Sequence, residues 1–210
     1  MDRKTAEIAS RREFILGATR KLFADKGVET VSMDDIAAAA DYTRRTIYNY
    51  FASFDEICLT IYIQDQNSRW EKQQAAIAAA GTGLAKLHAW ADALCLYRKQ
   101  NPHYGSLEAY WDFHGMQGRG LSRSLFARFK KINNELAQGL REIFRLGSRD
   151  KTMRADLDVD LCISQFLYSY RAILRRAESS SYSFAQFEPD QYVKHYLELF
   201  TRAICNKGVN

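Results

Sequence analysis

The chain has 210 residues, 47% of them hydrophobic, enough for one large domain or two modest ones around a packed core. Lys and Arg exceed Asp and Glu by 30 − 25 = +5, and with an isoelectric point near 9.0 this mild excess permits an anionic partner without demanding one. No apolar run approaches the roughly 20 residues of a membrane helix, and the N-terminus MDRKTAEIASRREF lacks the apolar core of a secretory signal, so a soluble, cytoplasmic protein is expected. Cys58, Cys95, Cys162 and Cys205 lie far apart with no C-x-x-C pair, which argues for buried reduced thiols rather than a zinc site or a disulfide framework. Neither a metal nor a cofactor is expected.

Apolar residues recur with the helical period throughout and nowhere alternate as in a strand, which predicts an all-α protein of about nine helices. The first runs from about Ser10 to Lys26, with Ile15, Ala18, Leu22 and Phe23 on one face and Gly27 suited to a left-handed cap. Ser32 followed by Asp35 has the spacing of a capping box for a helix from Met33 to Ala40, and Asp34 and Asp35 suit its positive end. The pattern then breaks at Asp41 and Tyr42. Asp41 is among the few non-glycine residues that visit left-handed backbone at modest cost, and Thr43 offers the next N-cap. A long helix is predicted from about Asp55 to Ala80, then others over Leu84 to Gln100 and Tyr104 to His114. GMQGRG at 115–120 is read as a loop, followed by helices from about Leu121 to Leu146, Val159 to Glu178 and Asp190 to Asn206.

The most informative stretch is TRRTIYNYF, Thr43 to Phe51. On a helix, Ile47, Tyr50 and Phe51 share one face at i, i+3, i+4, whereas Arg44, Arg45, Tyr48 and Asn49 share the opposite one. Helix, short turn and polar second helix together make a helix-turn-helix, whose second helix enters the DNA major groove. Arginines in the first turn can reach guanine O6 and N7 bidentately, and hydroxyl or amide side chains can bond to phosphates or bases.

Ile15 to Ile57, and within it LFADKG, DDIAAAA and TIYNYF, resembles the DNA-binding domain of TetR-family transcriptional regulators. The resemblance implies a homodimer of all-helical subunits. Each would carry an N-terminal three-helix DNA-binding domain over residues 1–54, with the helix-turn-helix at about 33–51, and a larger helical domain over 55–210 that binds a small effector and dimerises through its last two helices. By position it places the DNA contacts on Thr43, Arg44, Arg45, Thr46, Tyr48 and Asn49, with Ser32 approaching a phosphate, on a pseudo-palindromic double-stranded operator. The turn glycine of the family is Asp41 here, the small residue in mid-recognition helix is Arg45, the lysine that often opens the fourth helix is Phe54, and Asp34 stands where a basic residue is frequent. The first 50 residues hold nine Lys or Arg against eight Asp or Glu, so affinity must come from placement and dimeric geometry.

In the larger part, broad apolar stripes on the last two helices predict a four-helix dimer interface including Phe166, Tyr170, Leu197 and Phe200. The aromatic-rich middle is mostly core. Its best pocket candidate is EAYWDFHGM, Glu108 to Met116, which with Trp90 gives an effector site of Trp90, Tyr110, Trp111 and His114. The sequence therefore predicts a DNA-binding regulator, and the resemblance implies a repressor released by a small molecule. The alternatives are an architectural DNA-binding protein without an effector and a helical cytosolic enzyme, for which no phosphate-cradling loop, H-E-x-x-H or G-x-S-x-G is present.

Overall fold

The computed structural model describes residues 2–115, 120–178 and 188–206. Among them are nine α-helices: α1 (Arg3–Lys26), α2 (Met33–Ala39), α3 (Arg44–Tyr50), α4 (Phe54–Ala79), α5 (Gly83–Gln100), α6 (Pro102–His114), α7 (Arg123–Arg149), α8 (Val159–Glu178) and α9 (Pro189–Ile204). A 3₁₀ turn, Val28–Thr30, lies between α1 and α2. Within the described residues no strand forms, and no helix is long and apolar enough to cross a membrane. Of the predicted glycine-rich loop at 115–120, residues 116–119, and with them Met116, lie outside the described residues.

Helix α1 begins seven residues earlier than its apolar periodicity indicates. Asp2 through Arg11 are all exposed, so no apolar stripe could announce those turns. They form from residues of ordinary helix propensity and an i, i+4 pair, Arg11 to Glu7 at 2.6 Å. The helix ends as expected at Gly27, whose φ is +79° and whose amide donates to the Phe23 carbonyl.

The chain forms two compact units. The first comprises the described residues of Met1–Ser68 and Arg98–Ile132, and its core includes Ile15, Phe23, Ile36, Ile47, Phe51, Ile57 and Tyr104. Charges buried in it are paired. The Glu108 carboxylate meets the Arg98 guanidinium out of solvent, and Asp65 accepts from His103 at 2.9 Å and lies 3.4 Å from Arg20; an isolated buried charge would cost several kcal/mol. Helix α6 is fastened to the start of the molecule, with the Ser106 hydroxyl accepting from the Val28 amide at 3.0 Å.

The second unit comprises the described residues of Arg69–Tyr97 and Asn133–Asn210. Its centre is a run of rings: Phe166 stacks on Tyr170 at 5.3 Å between centroids, Trp90 lies 5.6 Å from Phe166, and Phe200 4.8 Å from Phe166. The Tyr170 hydroxyl donates to the Ala91 carbonyl at 3.0 Å, and Gln73 donates to the Trp90 carbonyl at 2.9 Å. Helix α5 starts against α7 so closely that a Cβ on Gly83 would stand 2.1 Å from the Gly147 nitrogen. The Gly83 amide donates there to Asp150 at 2.7 Å. An isolated antiparallel bridge, Met153 to Cys205, secures the end of α9.

Candidate nucleic-acid interface

The helix-turn-helix is built from local rules that the sequence displays. The Ser32 hydroxyl accepts from the Asp35 amide at 3.2 Å, while the Asp35 carboxylate accepts from the Ser32 amide at 2.9 Å, closing a reciprocal capping box. The Ser32 hydroxyl also donates to the Asp35 carboxylate at 2.5 Å, and this bond first, with that from the Ser32 amide, holds the Asp35 carboxyl below its ordinary value. After Ala40, the Tyr42 amide donates to the Ala37 carbonyl at 2.9 Å and the Asp41 amide to the Ala38 carbonyl at 3.2 Å, the two bonds of a Schellman closure. That closure needs a left-handed residue at position 41, and Asp41 supplies it with φ of +54°. Thr43 then caps α3, its hydroxyl accepting from the Thr46 amide at 3.1 Å and lying 2.9 Å from the Thr46 hydroxyl.

Helix α3 divides as its spacing predicts. Ile47 and Phe51 are buried, Tyr50 is half-buried, and Arg44, Arg45, Tyr48 and Asn49 are exposed together on the other side. Of the residues expected to meet DNA, Thr43, Arg44, Arg45, Thr46, Tyr48 and Asn49 therefore lie on one short helix and its cap. Ser32 is exposed too, with its hydroxyl engaged in the capping box.

Two residues with a bearing on this face are invisible to periodicity. Arg12, on α1, donates to the Tyr50 carbonyl at the end of α3, lies 3.2 Å from the Glu56 carboxylate, and stacks its guanidinium 4.0 Å from the Phe51 ring centroid. Asp34, on α2, accepts from Arg44 Nη1 at 2.8 Å. The Arg44 guanidinium is held further in its charged form by the Tyr48 hydroxyl and by the Asp34 charge.

The residues expected to line an effector site are divided between the two units. Tyr110, Trp111 and His114 come together in the first unit. Tyr110 donates to Asp55 and lies 5.1 Å from Trp111 and 4.6 Å from His114 between centroids, and His114 Nε2 is 2.9 Å from the Glu29 carboxylate. Trp90 belongs to the second unit, against Phe166 and Tyr170. Both Trp90 and Trp111 are buried with an indole N–H that has no hydrogen-bond partner among the described residues. The second unit also carries an open recess of about 510 Å³ whose lining includes Trp70, Ile77, Lys86 and Glu142.

Phe166, Tyr170, Leu197 and Phe200 are gathered as expected, but as core of their own chain: the first three are buried and Phe200 is half-buried. The apolar side chains left outside on α8 and α9 are Leu161, Tyr168, Tyr192 and Leu199, seven residues apart on each helix and so on one face of it.

A capped three-helix unit with a buried aromatic anchor and a polar recognition face defines a helix-turn-helix DNA-binding protein. Residues 15–59 match the model of "Bacterial regulatory proteins, tetR family", which marks this stretch as a DNA-binding domain of the TetR type. The chain is 22% identical over 161 residues to the HTH-type transcriptional repressor KstR2 of Mycobacterium tuberculosis, a stretch covering 77% of this chain and 78% of that one. The structure of KstR2, described as a ketosteroid transcriptional regulator, superposes with a TM-score of 0.70 at 19% identity, covering 94% of this chain and 96% of that one. AibR, solved in complex with isovaleryl coenzyme A and operator DNA, superposes with a TM-score of 0.66 at 18% identity, covering 90% and 97%. At these identities the structural likeness is one of fold.

Proposed function

We propose that this regulator is a homodimeric repressor that holds a pseudo-palindromic operator through Thr43, Arg44, Arg45, Thr46, Tyr48 and Asn49, with Ser32 at a phosphate, and lets go when a small molecule binds. The observation that carries the reading is the division of α3, whose Ile47 and Phe51 are buried while Arg44, Arg45, Tyr48 and Asn49 stand exposed in one row. One such helix reads only a few base pairs, so a two-fold dimer on symmetric half-sites is required for specificity. Leu161, Tyr168, Tyr192 and Leu199 form the face we assign to the partner copy.

In this reading residues 1–54 read DNA and 55–210 sense the effector and dimerise, and the protein works by binding rather than catalysis, in the cytoplasm with the chromosome. The unpartnered indole N–H of Trp111, beside Tyr110 in the first unit, supports polar anchoring of a ligand in otherwise apolar surroundings. Because AibR was solved with isovaleryl coenzyme A, acyl-coenzyme A thioesters are the first effectors to try. Helix α6 gives a route to the DNA-binding helices, since Ser106 holds Val28 and His114 meets Glu29 on the segment that leads into α2. An effector acts only as far as it prefers the DNA-free arrangement.

The experiment begins with recovery of bound fragments from a random DNA pool. Arg44→Ala or Arg45→Ala should then weaken the recovered site by about 1–3 kcal/mol and relax one position per half-site, whereas Tyr48→Phe, losing a phosphate bond, should weaken all sequences alike. Unchanged binding in all three variants would refute the assignment of this face. Calorimetric titration of an acyl-coenzyme A with and without operator tests the switch. Equal affinities in the two would refute it for that ligand, and an architectural role without an effector would gain support.

A further inference from the structure

Asp34 and Asp35 open α2 side by side but have different partners. Asp35 is taken up by the Ser32 cap and lies 3.4 Å from Lys26. Asp34 instead reaches across to α3 and accepts from Arg44 Nη1 at 2.8 Å. On its other side the same guanidinium sits 5.7 Å from the Tyr48 ring centroid, with Nη2 3.5 Å from the Tyr48 hydroxyl. Both members of the ion pair are more than half exposed, Arg44 at 55% and Asp34 at 66%. An exposed pair of this kind contributes little to stability, so holding α2 to α3 does not account for a carboxylate on a face that meets polyanionic DNA.

We propose that Asp34 is a positioning residue for specificity: it holds the Arg44 guanidinium toward a base edge and away from the phosphates. The proposal rests on the reading of Arg44 given above. A free arginine at the first turn of a recognition helix has many rotamers, and phosphate oxygens in every sequence compete for it. Asp34 removes most of that freedom before DNA arrives, with the Tyr48 ring, which phenylalanine would preserve, bounding the guanidinium. A guanidinium has five N–H donors. Two are engaged by Asp34 and Tyr48, and the three that remain suffice for a bidentate contact to guanine O6 and N7. The carboxylate also offsets the arginine's charge, which weakens its pull toward phosphates in general while leaving the directional fork intact. Discrimination thus gains at the expense of sequence-independent affinity.

The test uses full-length protein carrying Asp34→Asn, an isosteric change at an exposed position, and Asp34→Glu. Each is titrated over a range of salt against the recovered operator, single-base variants of it, and random-sequence duplex. With Asp34→Asn, random DNA should bind several-fold tighter with a salt slope steeper by about one charge. Preference at the base pair assigned to Arg44 should fall about five- to tenfold, part of what a bidentate pair supplies. Asp34→Glu should keep most of that preference, and adding Asp34→Asn to Arg44→Ala should change preference no further. If operator and random DNA tighten by the same factor in Asp34→Asn, the carboxylate merely repels phosphate and the proposal is overturned. If Arg44→Ala itself relaxes no position, the reading of Arg44 fails and the proposal falls with it, whereas preference lost in Arg44→Ala yet intact in Asp34→Asn overturns the positioning role alone.

Discussion

Replacing Arg12 by alanine should loosen the recognition helix without touching any group assigned to DNA. The side chain makes three contacts in one place: it donates to the Tyr50 carbonyl, approaches Glu56 to 3.2 Å, and stacks at 4.0 Å on Phe51. The bond from a charged donor to a helix-end carbonyl contributes about 1.5–3 kcal/mol, the stacked cation about 0.5–1 kcal/mol, and the one-third-exposed ion pair about 0–1 kcal/mol. These do not add, because one rigid fork makes all three and water can reach the freed carbonyl. Glu56 keeps its bond from the Ala52 amide at 2.7 Å and is not orphaned. A loss of roughly 2 kcal/mol follows. Hydrogen exchange is the assay, read at the amides of Ile47, Phe51 and Ala52, alongside operator titration. Protection should fall by about 30-fold, the equivalent of that energy, and operator affinity should drop with base preference unchanged. Arg12→Lys should recover little, since an ammonium cannot form the fork and stack together. Undiminished protection in Arg12→Ala would refute the clamp. Altered preference at a single base pair would show instead that Arg12 itself reads DNA.

A Cβ on Gly83 would meet backbone, 2.1 Å from Gly147 N and 2.3 Å from its Cα, so Gly83→Ala must push α5 from α7 and cost about 2–3 kcal/mol, outweighing any propensity gain; Gly17→Ala, with nothing within 4 Å, should stabilise by about 0.5–1 kcal/mol. Denaturant midpoints decide both, and equal shifts would refute the steric argument. Asp35 is depressed in the folded state, so the stability its cap supplies is present above the unfolded-state value of about 3.9 and is lost as pH falls through the lower folded value. Ser32→Ala should therefore flatten the acid side of the stability curve near pH 4 and below, and an unchanged slope there would contradict the cap's role. Leu199→Glu or Tyr168→Glu should halve the mass in solution with helicity retained, whereas Phe166→Ala should cost about 3–5 kcal/mol of subunit stability; a dimer that survives both glutamates has its interface elsewhere.

What could be read from the sequence is what neighbouring residues decide. The caps at Ser32 and Thr43, the left-handed Asp41, and the inward Ile47 and Phe51 opposite the outward Arg44, Arg45, Tyr48 and Asn49 all depend on spacings of five residues or fewer, and all appear in the structure. Spacing shows that a side chain is apolar and on a given face, but it does not show which surface covers that face. Phe166, Tyr170 and Leu197 read as surplus for a second copy, yet the rings of their own chain cover them, and the row left over is Leu161, Tyr168, Tyr192 and Leu199. The aromatic middle had the same ambiguity, because Trp90 and Trp111 carry identical signals and belong to different units.

Arg12 and Asp34 were missed for a different reason. Arg12 acts on Tyr50 and Glu56 across separations of 38 and 44 residues, and Asp34 acts on Arg44 across a separation of 10, bridging a turn. Read locally, each has a sufficient bland role: a basic residue on a polar helix face, and an acid at a positive helix end. Only the folded geometry shows that the acid at the helix end is Asp35's task and that Asp34 faces the recognition helix. A net charge near zero over the first 50 residues then has a physical interpretation. The DNA-binding unit draws little sequence-independent attraction from its total charge, so its selectivity depends on a few arginines whose directions are fixed by neighbours, Arg44 by Asp34 and Tyr48, and the helix that bears it by Arg12.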